Sequence, residues 1–170
     1  MTTTAKVLPR TLPREMQQHT YAITYEAEHK HWWFVGRRRI IAAVVTDVCR
    51  QLKVERPRIL DVGCGTGANL ELLSEFGEAE GVDVSPQAIE FCRLRGLKQV
   101  HLGAAERLPN DDASFDLVTA LDVVEHLDDD VGGLQEMGRV LQPDGRLLLF
   151  VPAFMFLWGV QDDVSNHRRR

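Results

Sequence analysis

The sequence predicts a doubly wound, mainly parallel α/β sheet with a helical cap at its N-terminal side. Three observations carry this expectation. From Pro57 onward, short apolar runs alternate with segments of helical periodicity, the order that builds parallel strands joined by right-handed crossovers. The first run ends in the cluster Gly63-Cys64-Gly65-Thr66-Gly67, directly before a helical segment. The next run ends in an acid, Asp83. In open parallel sheets, ligands bind beyond the carboxyl ends of the strands where the chain order reverses, so these turns are the place to look for function.

The chain divides into an arm over residues 1–20, a helical cap over 21–56 and an α/β domain over 57–170. The arm is polar, Thr-rich and aperiodic, and is expected to be flexible. The cap opens with a block of aromatic and histidine residues that includes His31-Trp32-Trp33-Phe34. Ile40, Ile41, Val44, Val45, Val48 and Leu52 then recur at helical spacing. Within the domain, strands are predicted over 59–62, 79–84, 99–102, 115–121 and 146–151. Helices are predicted over 68–76, over 86–95 behind Ser85 as N-cap with Pro86 in the first turn, and around Val131, Leu134, Met137 and Val140. Pro143-Asp144-Gly145 reads as a turn.

Composition narrows the function classes. The 44% hydrophobic content supplies a core, and a formal net charge of -5 argues against a general nucleic-acid binder, which needs clustered cations on phosphate. Cys49, Cys64 and Cys92 have neither CxxC nor Cys/His metal spacing, so reduced thiols, a cytoplasmic setting and no metal site are expected. The most apolar stretch, 147–160, is interrupted by Pro152 and Gly159 and is too short to span a membrane.

The glycine loop and Asp83 point to a nucleoside cofactor. A carboxylate at the end of the second strand accepts hydrogen bonds from both ribose hydroxyls. The spacing is G-x-G-x-G rather than G-x-G-x-x-G, and Asp61 stands two residues before the first glycine. An acid there repels a pyrophosphate and suits a ligand carrying an ammonium and a sulfonium, which favours S-adenosylmethionine over NAD. An NAD-dependent oxidoreductase is therefore the weaker reading.

At these residues the chain resembles the class I, Rossmann-like S-adenosylmethionine-dependent methyltransferases, in particular the broad group with the ubiquinone and menaquinone biosynthesis enzymes. Asp61 to Gly67 is similar to their first motif, and Asp83 to their ribose-binding acid. Gly103-Ala104-Ala105-Glu106-Arg107-Leu108-Pro109, Val123-Val124-Glu125-His126-Leu127 and Arg139-Val140-Leu141-Gln142-Pro143-Asp144-Gly145 resemble later segments, over residues 57–152 in all. The resemblance implies a cofactor set of Asp61, Gly63, Cys64, Gly65, Gly67, Asp83, Val84, Ala104, Ala105, Glu106, Leu121 and Arg37, with S-adenosylhomocysteine as product. The family often has an acid where this chain has Ala104, which leaves adenine to backbone groups and apolar packing. Cys64 reads as a small spacer rather than a nucleophile. His31-Trp32-Trp33-Phe34 with Gly36-Arg37-Arg38 resembles an N-terminal cap in one branch of the family. Its aromatics are either a plug on the core or a lid over the cofactor, with Arg37 meeting the cofactor's carboxylate.

His126 and His167 are the catalytic candidates, because an imidazole titrates near neutral pH and can take an acceptor proton. Packing or capping is an equal reading of Glu125 and His126. Phe154 to Trp158 is either core packing or an apolar acceptor pocket, and Arg168-Arg169-Arg170 is expected to be solvated. The Asn/Asp-Pro-Pro-Tyr type motif of amino-methylating nucleic-acid enzymes is absent after the fourth strand, which favours a small-molecule, lipid or sugar acceptor. The residues after Val151 hold no further strand pair. The antiparallel end of the fold is therefore expected to be missing, leaving the fifth strand as an edge open to self-association and turnover impaired. The alternative is a non-catalytic S-adenosylmethionine-binding module.

Overall fold

The computed structural model describes residues 18–170; most of the predicted arm lies outside them, and residues 18–20 are already helical. Two N-terminal helices, α1 (Gln18–Ala27) and α2 (Trp32–Leu52), precede the alternating part. There β1 (Arg58–Val62), α3 (Ala68–Leu73), β2 (Glu78–Asp83), α4 (Pro86–Leu94) and β3 (Val100–Leu102) form one half. β4 (Phe115–Leu121), α5 (Asp130–Val140), β5 (Leu141–Phe150) and a short α6 (Val160–Val164) follow. The sheet order is β3-β2-β1-β4-β5 and every pairing is parallel. The order reverses between β1 and β4, so the ligand crevice of this topology opens above their carboxyl ends. Among the described residues, no strand pairs antiparallel beyond β5.

Strand alternation distributes the core to the two faces of the sheet. Leu60, Val62, Val118 and Ala120 point toward α5, where Met137 and Val140 close the layer. Ile59, Leu117 and Leu121 point the other way, onto Ile41 and Val45 of α2 and Leu73 of α3. α4 extends that layer by packing Ile89 and Cys92 on Val100, Leu70 and Cys64. α4 is capped as predicted: the Ser85 side chain accepts from the Ala88 N–H at 3.3 Å, with Pro86 in the first turn.

Two elements differ from expectation. On α2, Ile40 and Val44 are exposed while Ile41 and Val45 are buried; adjacent residues sit about 100° apart on a helix, so one member of each pair faces the sheet. β5 begins at Leu141 rather than Arg146, because the Pro143-Asp144-Gly145 turn is accommodated within the strand. Its register jumps from Phe115↔Leu141 to Leu117↔Arg146, a bulge in which the chain folds tightly. A β-carbon on Gly145 would lie 2.8 Å from Leu141 Cδ2 and 3.1 Å from the Asp116 carbonyl oxygen. Among the described residues, no helix is long and apolar enough to cross a membrane.

Candidate cofactor cleft

Above the reversal point lies a cleft of about 490 Å³, of a size suited to a nucleoside-bearing ligand. Gly63 and Gly65 supply its floor from the β1–α3 loop, and Asp83 and Val84 come from the end of β2. Gly103 to Glu106 follow β3, Asp122, Val123 and His126 follow β4, and Ser165 and Asn166 arrive from the turn after α6. Tyr21 of α1 closes one side.

The loop conformation explains its glycines. Gly63, Gly65 and Gly67 all have positive φ, at 68°, 54° and 90°, a region costly for residues with a β-carbon. A β-carbon on Gly65 would meet nothing within 4 Å, so here the loop turns bare backbone toward open space. The Gly63 and Cys64 N–H groups donate to the Val82 carbonyl at 2.7 and 3.1 Å, tying the loop to β2. Asp83 holds it from the other side: Oδ2 accepts from the Gly65 N–H and Oδ1 from the Ser85 N–H, both at 2.9 Å. The carboxylate is 8% exposed and is aimed by two backbone donors that define its plane.

Asp61 lies beneath this floor rather than in the cleft. It is 2% exposed and accepts the Thr119 hydroxyl at 2.7 Å across the β1–β4 pairing. Burial pushes its carboxyl up to about 7, against the Thr119 bond and the Arg37 charge. Four further members of the expected cofactor set stand outside the lining. Cys64 turns its thiol into the core, 3.9 Å from Cys92 Sγ; that contact and burial push the thiol far up, leaving an unreactive spacer. Gly67 permits close packing of α3 on α4, since a β-carbon there would fall 2.7 Å from Leu97 and 2.9 Å from Cys92. Leu121 is buried against α2. Arg37 sits over the Phe150 ring at 4.8 Å with Nη2 2.6 Å from the Asp122 carboxylate, so its charge is committed to the rim of the cleft. Gly63, Gly65, Asp83, Val84, Ala104, Ala105, Glu106 and His126 all line the cleft.

In the aromatic block the two tryptophans are not buried on the core, whereas Phe34 is part-buried. Trp32 and Trp33 are 74% and 55% exposed and pack edge-on with ring centroids 5.8 Å apart. From the N-terminal helices it is Tyr21 of α1, eleven residues before Trp32, that lines the cleft. Phe154 and Phe156 stack on each other at 5.4 Å and remain exposed outside the cleft.

A polar cluster lies at the His126 end. His126 and His167 meet edge to face with ring centroids 4.8 Å apart. Asp162 Oδ1 stands 2.9 Å from His167 Nδ1, while its Oδ2 accepts from the Gly159 N–H at 2.8 Å. Burial works against the Asp162 charge, but Gly159, His167 and Arg170 together hold it below the usual carboxylate range. Burial, with His167 beside it, lowers His126 to about 4, so its imidazole is neutral at pH 7. Burial also raises Glu125 to about 7, and its Oε2 is buried without a hydrogen bond. Glu125, His126 and His167 each offer a ligand atom, all within 4.8 Å of one another. That grouping could hold a metal ion, although the sequence spacing gave no expectation of one.

Of the arginines expected to be solvated, Arg168 is exposed but Arg169 and Arg170 are part-buried, and the segment is pinned in place. Arg168 donates its backbone N–H to the Glu125 carbonyl at 2.6 Å, and Arg169 Nη1 donates to the Val124 and Leu127 carbonyls at 3.0 and 2.6 Å. These carbonyls end the 3-10 turn Val124–His126, and cations are favourable at such an end.

A doubly wound parallel sheet with a glycine loop after β1 and an acid at the end of β2 is the frame of nucleoside-cofactor folds, and the family match assigns this chain among them to the class I, Rossmann-like S-adenosylmethionine-dependent methyltransferases. The chain belongs to the methyltransferase domain family, whose model matches residues 60–149. It is 35% identical over 120 residues to the uncharacterized methyltransferase YcgJ of Bacillus subtilis, covering 66% of this chain and 47% of that protein. The crystal structure of YcgJ aligns over 62% of this chain and 48% of its own, with a TM-score of 0.53. A demethylmenaquinone methyltransferase of Deinococcus radiodurans is 42% identical over 112 residues, 60% of this chain and 46% of that one. DesVI of Streptomyces venezuelae shares the fold at 24% identity, with a TM-score of 0.65 over 82% of this chain and 60% of its own. The chain spans about half the length of the curated relatives it matches.

Proposed function

We propose that the cleft binds S-adenosylmethionine and that the protein transfers its methyl group to a small-molecule, lipid or sugar acceptor. The observation that carries this reading is Asp83, held at the end of β2 opposite the bare backbone of Gly65. A carboxylate offers about four acceptor positions, enough to take ribose hydroxyls while keeping its backbone donors. Val84 and residues 104–106 line the part of the cleft beyond it and suit the adenine. Asp61, buried below the loop, stands apart from the lining and braces β1 on β4 through Thr119. The group this chain would hold supplies a methyl carbon already activated by a sulfonium charge.

What remains for the protein is alignment, exclusion of water and, for a hydroxyl acceptor, removal of a proton. His126 faces the cleft as a neutral imidazole, and His167, fixed by Asp162, stands behind it. With the donor held in the cleft, a hydroxyl acceptor would take the methyl carbon from sulfur, and its proton would leave on the side where His126 faces the cleft with His167 behind it. A positioned general base contributes about a hundredfold or more only where its basicity matches the working pH; His126, lowered to about 4, is a weak base and offers less. His126→Gln and His167→Gln are therefore each expected to cut methyl transfer to small phenols by about tenfold, with S-adenosylmethionine affinity unchanged in His167→Gln, whose side chain lies outside the cleft lining. Radiolabelled methyl transfer alongside calorimetry checks this. Wild-type turnover in both variants would remove the histidines from the mechanism.

A further inference from the structure

α1 is latched onto the glycine loop by a buried polar network. Glu28, the residue after α1, accepts the Thr66 hydroxyl and pairs with Arg95 Nη2 at 2.8 Å. Arg95 in turn donates from Nε to the Thr66 carbonyl at 2.7 Å and from Nη2 to the Tyr25 carbonyl at 3.3 Å. Its guanidinium lies 4.3 Å from the centre of the Tyr25 ring, which packs against Phe91 of α4. The Arg95 and Glu28 side chains are only 6% and 13% exposed. Thr66 is thus gripped at both its hydroxyl and its carbonyl, between Gly65 and Gly67.

Tyr21 lies one helical turn before Tyr25 and so on the same face of α1. It is 5% exposed and lines the cleft with Gly65 and Asp83. A helix of ten residues is too short to hold its shape alone, so the latch decides where Tyr21 stands.

We propose that α1 is a wall of the donor cleft: Tyr21 contacts the bound donor, and the Glu28–Arg95 pair couples donor binding to the docking of α1. The inference rests on the donor reading of the cleft. Coupling of this kind is reciprocal. Donor binding steadies α1, and loosening α1 weakens the donor by the same factor. Breaking a buried pair by neutralising one member leaves the other charge uncompensated, so Glu28→Gln loosens the latch without changing the cleft lining.

The test is backbone hydrogen exchange across residues 18–28 of the wild-type protein, with and without saturating S-adenosylhomocysteine. Affinities and dissociation rates of S-adenosylhomocysteine are measured for wild type, Tyr21→Ala, Glu28→Gln and Asp83→Asn. The expected result is exchange slowed about tenfold in α1 on binding, and affinity lowered about tenfold by Tyr21→Ala and Glu28→Gln, mostly through faster dissociation. Unchanged α1 exchange, or a Tyr21→Ala protein that binds as tightly as wild type, overturns the inference. Because the exchange measurement uses the wild-type chain, a folding defect in a variant does not decide it. If wild type binds but only Asp83→Asn weakens binding, the latch fails and the donor reading stands. If wild type does not bind, both fail.

Discussion

Gly63 has two reasons to be glycine: a φ of 68°, and a position where a β-carbon would collide with Val123 Cγ2. Gly63→Ala is expected to destabilise the fold by about 3 kcal/mol, the sum of left-handed strain and overpacking. Trimming the partner with Val123→Ala in the same chain should recover the overpacking part, about 1 kcal/mol, and leave the strain. Urea denaturation of the two single variants and the double checks this; strict additivity would mean that the two side chains do not meet. The glycines and Asp83 were legible in the sequence because both lie at strand ends whose position the apolar runs reveal. Asp61 was legible as an acid but not as a buried one, since its burial comes from α2 and Thr119. Tyr21 reaches the cleft, and the Asp162–His167 pair comes to stand behind His126, only through tertiary folding. No spacing connects Asp162 to His126, and the aromatic block drew attention to Trp32 and Trp33 rather than to Tyr21.

At the scale of elements, the alternation of period and the punctuation by Gly and Pro were enough to locate every strand. They located β5 imperfectly, because a Pro-Asp-Gly run marks a tight turn whether it ends a strand or bulges within one. The stripe on α2 was legible as a helix face but not its orientation. Ile40 and Ile41 are equally apolar, and the packing of α2 on β5 and α3 chooses between them. α1 carried no periodicity of its own. Its place is set by packing on α4 and by an ion pair to Arg95 at the C-terminal cap of that helix, a contact between residues far apart in the chain.

Across the whole molecule, buried titratable groups set the response to pH. Asp61 and Glu125 are raised to about 7 from ordinary values of 3.8 and 4.5, so the folded state holds their protons more tightly than the unfolded chain. Their contribution to stability is full below the ordinary values and is lost as pH rises to about 7. His126, lowered to about 4 from 6.5, acts oppositely: its contribution is present above 6.5 and is lost as pH falls toward 4. Two acids outweigh one imidazole, so the ligand-free protein should lose stability between pH 4.5 and 7 and level off above that range. Urea midpoints across that range test the sign, and Asp61→Asn should flatten the slope. A midpoint that climbs from pH 4.5 to 7 would contradict the burial of these acids. The central claim, that the cleft between the glycine loop and Asp83 is a donor site, is tested most directly by calorimetric titration of the wild-type protein with S-adenosylhomocysteine and, separately, with NAD. Saturable binding of S-adenosylhomocysteine is predicted, weakened at least about tenfold in Asp83→Asn through loss of charge-assisted ribose hydrogen bonds, with no comparable binding of NAD. Tighter binding of NAD, or S-adenosylhomocysteine binding indifferent to Asp83→Asn, would contradict it.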